Sequence, residues 1–225
     1  MGECFKFGRG KLKTFDPVFA NNSWEDIIAA CQAGKVPATW KVGDQKNMTI
    51  NGTDYPIDVI GINHDTYSTG GTAPLTFQMH DCYKTNYQMN SVASEGGWEV
   101  CNMRKSRLPA ILNLMPTEVS AAVREVSKKS GAGSPTIKNT VDKLFLLAEV
   151  EIFGKCTYSV PGEGEQYAYY SSGNSTIKKR SGSAAYWWER SSLDYGGAFC
   201  MVATNGYVSF DDDTDSYSVA FAFCF

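Results

Sequence analysis

The last 35 residues, Ser191 to Phe225, contain no Lys, Arg, Glu, Gln or Trp. The preceding 190 hold 15 Lys, 11 Glu and 5 Gln, so the gap belongs to the tail and not to the chain. In their place stand Tyr, Phe, Asp, Ser, Thr, Ala, Gly and Val, in bursts such as Ala203-Thr204-Asn205-Gly206-Tyr207. Such residues order cheaply and contact many kinds of partner, as in an antibody paratope. The missing cations also segregate charge. Five Asp give the tail −5 of a total of −3, which leaves residues 1–190 at +2. An acidic rim on a binding face and a solvated loop both fit.

Other absences narrow the function. No CxxC is present and no two of the seven cysteines (4, 31, 82, 101, 156, 200, 224) lie closer than 19 residues, which argues against a zinc site. Most of them stand in apolar contexts as small core residues, which favours a reducing compartment during folding. No apolar leader is visible at Met1-Gly-Glu-Cys-Phe-Lys6, and no run is long enough to span a membrane. The small net charge points to neither nucleic acid nor membrane. The 43% apolar and 20% charged fractions are those of an ordinary globular protein.

What is present reads as an α+β chain. Residues 1–21 form a basic, aromatic arm, and residues 22–225 form one domain. A short helix spans 22–34, capped by Asn22 or Ser23 and ended by Gly34. Tyr55–Ile62 alternates as a strand after the Asn51-Gly52 turn, and Leu75–Met79 is a second. Trp98–Lys129 reads as the helical part, interrupted at Pro116. Leu144–Leu147 reads as a buried strand running on through Val150 and Ile152, and residues 160–183 as a surface insertion. Tyr186–Trp188, Phe199–Val202, Tyr207–Phe210 and Val219–Phe225 complete the strands. Helices are thus expected in the first half, with a mainly antiparallel sheet closed by the C-terminal strand, which pairs with Asp58–Ile62.

Catalytic patterns are weak. His64-Asp65 and His80-Asp81-Cys82 suggest a nucleophile and base, but adjacent strand residues point to opposite faces, so both read as structural histidines. Asp211-x-Asp213-x-Asp215 opens like a calcium loop but lacks the Gly at position 6 and the Glu at position 12. Gly162-Glu-Gly164 lacks the third glycine and helix of a dinucleotide site. Glu149 and Glu151 share a strand face with no cleft assigned. Tyr186-Trp187-Trp188 reads either as core or as a sugar-stacking platform. Core is preferred for Trp188 and one neighbour, with Arg190 tying down a carboxylate or carbonyl. No cofactor, metal or catalytic residue is expected, and the chain reads as a non-enzyme.

Five segments in order carry a resemblance: Asp58–Asp65, Leu75–Cys82, Leu144–Glu151, Trp187–Ser191 and Val219–Cys224. They resemble a bacterial and prophage domain family of minor structural and surface proteins. Some members are similar to the variable proteins of diversity-generating retroelements, whose C-terminal domain has a C-type-lectin-like fold, as in the phage tropism determinant. The resemblance implies recopying of AAC and AAT codons into forms that cannot encode Lys, Glu, Gln, Trp or Met. Met201 departs from that rule and is expected to be scaffold. It also implies a variable segment at 191–218 held in a fixed frame. The expected ligand-binding positions are Leu193, Asp194, Tyr195, Ala198, Ala203, Thr204, Asn205, Tyr207, Ser209, Phe210, Asp211, Asp212, Asp213, Thr214, Asp215 and Tyr217. Tyr195, Tyr207, Phe210 and Tyr217 are expected to be exposed on one face, over buried Trp188, Phe221 and Phe223.

The implied function is a receptor-binding display protein of a phage tail or cell surface, made in the bacterial cytoplasm. Its partner would be a protein or glycan on a host cell, with other virion proteins reached through residues 1–21 and a homo-oligomer allowed. The alternative is a structural tail or decoration subunit. A lesser one is an oxidase of the formylglycine-generating type, which needs a copper-binding cysteine pair; Cys200 and Cys224 are candidates by location only. Thiol titration of the denatured cytoplasmic protein is expected to find seven free cysteines. An intact Cys200–Cys224 bridge would contradict the reducing-compartment reading.

Overall fold

A computed structural model describes residues 14–94 and 96–225, so most of the predicted arm lies outside the described residues. In chain order the main elements are α1 (Trp24–Gln32), β1 (Gln45–Ile50), β2 (Thr53–Ile62), β3 (Leu75–Met79) and β4 (Tyr87–Gln88). A π-helical turn at Met103–Arg107 runs into α2 (Leu108–Leu112), then α3 (Thr117–Ala122), β5 (Val126–Gly131) and β6 (Ile137–Asp142). The rest comprises α4 (Glu149–Phe153), α5 (Ala168–Ser171), β7 (Lys178–Arg180), β8 (Ser183–Ala185), β9 (Trp187–Ser192), β10 (Ala198–Val202), β11 (Val208–Asp212), β12 (Ser216–Tyr217) and β13 (Ala222–Cys224). The architecture is α+β, with few, short helices and mostly antiparallel sheets. No helix among the described residues is long and apolar enough to cross a membrane.

Local chemistry sets the early elements. Ser23 caps α1 through a capping box with Asp26, whose backbone N–H donates to Ser23 Oγ at 3.1 Å. Asn51 and Gly52 take φ of 47° and 73°, a turn whose twist matches the strands it joins, and β1 pairs with β2 in register. That hairpin occupies one edge of β2. The other edge takes β3, and β3 in turn takes β13.

The terminal strand therefore pairs with Leu75–Met79 and not with Asp58–Ile62, because β3 reaches the free edge of β2 across a much shorter loop. Nor is the sheet closed: it runs β1-β2-β3-β13. Its far edge is covered by single bridges, Arg124 N–H to the Cys224 carbonyl at 2.9 Å and a reciprocal pair between Phe145 and Ala222. Such cover removes the hazard of a bare apolar edge.

Several expected elements shift. Val126–Lys129 is strand, not helix. Leu144–Leu147 is buried but is not a strand, with only a single bridge at Phe145, and α4 begins at Glu149, so Val150 and Ile152 are helical. With α4 and α5, helices occur in both halves. Residues 160–183 are no surface insertion: Glu163, Tyr167, Tyr170 and Lys178 are buried. Lys178 explains why. Its ammonium donates to the carbonyls of Met79 and His80 at 2.5 and 3.0 Å, and it lies over the Trp187 ring.

Residues 219–225 are buried throughout, and one apolar cluster joins them to α1, β2, β3 and the 144–147 segment. Phe77 and Phe223 stack at 5.2 Å, with Trp24, Phe19 and Phe225 around them. Replacing Phe223 by Ala is expected to cost about 3–5 kcal/mol, the range for truncating a buried aromatic. Urea melts of the two proteins measure it, and a loss below about 1 kcal/mol would mean that the closing strand is not a packing element.

Candidate ligand-binding face

The predicted segment folds as a three-stranded sheet in the order β11-β10-β9. Every residue of β9 and β10 is buried, whereas β11 is half-buried or exposed along its length. The sheet thus has two scaffold strands and one presented strand. At the β10–β11 turn the Ala203 N–H donates to the Tyr207 carbonyl at 2.8 Å, and Gly206 closes the tip at φ +84°. A Cβ at Gly206 would meet Thr176 Oγ1 at 2.8 Å and Ile177 at 3.0 Å. Thr176 donates to the Gly206 carbonyl at 2.7 Å, so the tip is fixed through its backbone.

Of the sixteen expected positions, Asp194, Tyr195, Asn205, Tyr207, Phe210, Asp212 and Asp215 are exposed. Ala203, Thr204, Ser209, Asp211, Thr214 and Tyr217 are half-buried. Three are corrected. Leu193 and Ala198 pack with Cys200 in a small second cluster, and the Leu193 N–H binds the Ala198 carbonyl. Asp213 is fully buried, where its carboxylate accepts from Asn90 Nδ2 at 2.8 Å and the Ser94 N–H at 2.9 Å. It ties the β11–β12 turn to the 90–94 loop and is a staple, not a contact residue. Trp188, Phe221 and Phe223 are buried as expected.

The four tail aromatics do not share one face. The ladder pairs Phe210 with Cys200 and Asp211 with Phe199, and paired residues point to the same side of a sheet. Phe210 therefore lies on the Cys200 side, edge-on to Tyr158 at 4.9 Å. Tyr217 donates to the Asp211 carboxylate and packs on Trp188 at 5.1 Å and Tyr186 at 5.6 Å, on the other side. Tyr195 and Tyr207 are 64% and 72% exposed but flank opposite ends of β10. Tyr158 was missed in the sequence because it is 52 residues from Phe210, whereas Tyr186 was named with its two Trp neighbours as either core or a sugar-stacking platform.

On the Tyr217 side is a groove of about 290 Å³ between the β7–β8 hairpin, Thr204 and the Tyr186–Tyr217 pair. A larger cavity, about 380 Å³, has Asp65, Lys128, Glu151 and Glu163 among its lining residues. Its charged floor looks catalytic until its bonds are traced. The Lys128 ammonium donates to Asp65 at 2.7 Å, Glu151 at 2.8 Å and Tyr167 at 3.1 Å, which uses its three protons. Arg190 is fully buried and spends its fork on both Glu151 oxygens, Ser130 Oγ and the carbonyls of Leu146 and Glu163. Glu163 accepts from the Gly131 N–H at 2.7 Å and from Ser191 Oγ. With its protons committed, Lys128 is a structural cation and not a free base or nucleophile. The expected Arg190–carboxylate tie is thereby identified as Glu151.

The remaining candidates are equally committed. His80 Nδ1 is 2.8 Å from Asp58, and His64 stacks on Tyr167 at 4.0 Å. The six described cysteines are free. Cys200 points to Glu149 in one sheet and Cys224 to Asp65 and Thr76 in the other, so they do not make a pair. Asp211, Asp212 and Asp215 gather at the surface as an acidic rim.

Two buried carboxyls titrate in opposite senses. Burial alone would raise Asp65, but the charge and hydrogen bond of Lys128 and the Thr76 hydroxyl bring it down to about 2. Its stabilising contribution is complete above its unfolded value near 3.8 and is lost as pH falls through about 2. Glu189 is wholly buried, and neither of its oxygens finds a donor among the described residues. Burial, then the charges of Glu149 and Glu163, push it well above 4.5. Its contribution is complete below 4.5 and is lost as pH rises through its raised folded value. Stability measured against pH is expected to fall at both ends, and Glu189→Gln is expected to flatten only the alkaline side. An unchanged alkaline slope in that variant would show that Glu189 is not the titrating group.

No curated protein and no solved structure matches the chain significantly. A family model described as "Domain of unknown function (DUF6273)" matches residues 74–224, from the start of β3 to the end of β13, and the chain belongs to that family.

Proposed function

We propose that this α+β domain has a C-type-lectin-like arrangement and works as a non-enzymatic display protein of a phage or prophage. It would bind a receptor on a host cell through the β10–β11 hairpin and its flanking loops, diversified by a retroelement. The observation that carries this reading is the contrast within one short stretch of chain. The 203–217 segment is mostly half-buried or exposed, yet it runs between a fully buried β10 and the fully buried residues 218–225. Variable contacts on rigid elements are the arrangement that binding sites favour. The corrected contact set omits Leu193, Ala198 and Asp213 and falls into two patches, either side of β11.

The test is a multiple substitution of Ala203, Thr204, Tyr207, Ser209, Asp212 and Thr214. Each is expected to change stability by no more than about 0.5 kcal/mol, so the melting temperature should barely move. Adsorption to host cells should be lost, because a few aromatic anchors usually carry most of an interface's affinity. Variants as unstable as Phe223→Ala would make the hairpin structural and favour the tail-subunit alternative. Sequencing the neighbouring DNA for a reverse transcriptase and a near-copy of the codons for 181–225 tests the diversification.

A further inference from the structure

We propose that the groove between the β7–β8 hairpin and Tyr217 binds a carboxylated sugar ring, with Arg180 holding the carboxylate and Tyr186 and Tyr217 forming the wall against the ring. This rests on the display reading and names a ligand class for one of its two patches. The groove is lined by Asn86, Arg180, Ser183, Thr204, Tyr186 and Tyr217 among others, with no Asp or Glu in the lining. At about 290 Å³ it lies at the lower end of small-molecule sites, which begin near ~300 Å³, and suits one ring.

Arg180 is the informative residue. Its Nε is shielded from solvent and finds no acceptor, and the guanidinium forms no ion pair among the described residues. The buried cations among the described residues all have partners: Arg190 and Lys128 bond to carboxylates, and Lys178 to two carbonyls. A half-buried guanidinium whose shielded Nε has no acceptor among the described residues leaves donors unused, and an incoming carboxylate can accept from such a fork bidentately. The hairpin that carries Arg180 is held firmly. Lys178 anchors β7 to the 79–80 carbonyls, the Lys179 N–H binds Asp81 Oδ1 at 2.7 Å, and Ser181-Gly182 close a tight turn. The guanidinium is therefore presented on a fixed base, which limits the entropy lost on binding.

The opposite wall is aromatic. Tyr186 is 40% exposed and Tyr217 half-buried, with ring centroids 5.6 Å apart. Such rings offer an apolar face to the C–H face of a sugar and a hydroxyl at the rim. Charge sets the direction of the ligand. Tyr217 donates to Asp211, so a negative group lies beyond that tyrosine. The ligand's carboxylate then belongs at the Arg180 end and its hydroxyls toward Asp211, which accepts hydrogen bonds and repels acids. Thr204 joins the groove to the hairpin tip, so exchange at that position would alter one wall without disturbing the others.

The test compares glucuronate with glucose, near-isosteres that differ in the carboxylate, by NMR titration of the full-length chain. Glucuronate is expected to bind about ten- to hundredfold more tightly than glucose, the effect of one charge-assisted hydrogen-bonded pair, with shifts at Thr204, Tyr186 and Tyr217. Arg180→Gln should abolish that preference, while Tyr186→Ala should weaken both sugars. The Arg180 side chain has no hydrogen-bond or ion-pair partner among the described residues, so its variant should keep the wild-type melting temperature. Equal affinity for the two sugars, or a preference that survives Arg180→Gln, overturns the proposal. The display reading fails separately: if the hairpin-tip variants still adsorb to host cells it is lost, whereas failure of glucuronate binding with adsorption lost in those variants removes only the sugar-acid assignment.

Discussion

The Arg190–Glu151 pair is the interaction on which the two halves of this protein depend. Arg190 lies on β9, Glu151 on α4, and the other acceptors of the guanidinium sit on β5, the 144–147 segment and the 163 loop. Glu151 also receives Lys128, which in turn holds Asp65 at the end of the four-stranded sheet. Through four side chains, Arg190, Glu151, Lys128 and Asp65, the presented sheet is joined to the sheet that carries the hydrophobic core. A buried pair of this kind adds little net stability, because desolvation offsets most of the attraction. Breaking one member is different, at about 3–5 kcal/mol, since a lone charge is left behind.

The primary structure disclosed only part of this arrangement. α1, β2 and β3 were legible because local chemistry decides them: a capping box, an Asn-Gly turn and the alternation of Leu75, Phe77 and Met79 with polar residues. β6 was not, because its inward positions are Thr140 and Asp142 while Val141 faces out. The pattern is inverted since Asp142 is needed inside, where it holds Arg104 at 2.6 Å and Trp98 at 3.0 Å. α4 escaped notice because five residues are too short to show a helical period, and the run of leucines before it reads as strand. The presented strand was expected from composition together with the family resemblance, which places the variable segment at 191–218. Composition has no resolution at single positions, so Leu193, Ala198 and Asp213 were swept in with their neighbours, and alternation along β11 was needed to divide the aromatics.

The two cavities show how an ionic lining is to be weighed. The larger has more charge, yet its buried charged groups, Asp65, Lys128, Glu151 and Glu163, bond to partners within the fold. The smaller has a single cation, and that cation is unpaired. Unspent hydrogen-bonding capacity, rather than charge or volume, separates a site from a scaffold here. The same measure singles out Glu189, but its side chain is closed off on all sides, so its unspent capacity appears as a titration and not as a recognition surface.

The tip of the β10–β11 hairpin is held by a hydroxyl on Thr176 that grips a carbonyl, not a side chain. Every amino acid carries that carbonyl, so the grip is blind to what is written at positions 203–205 and 207. Only Gly206 is excluded from this freedom, because any Cβ there collides with Thr176 and Ile177. Shape and content are thereby inherited separately. On the proposed display reading, a population of such chains would explore many surfaces at the tip while the loop returns to the same path each time, and the single letter that must not drift is a glycine.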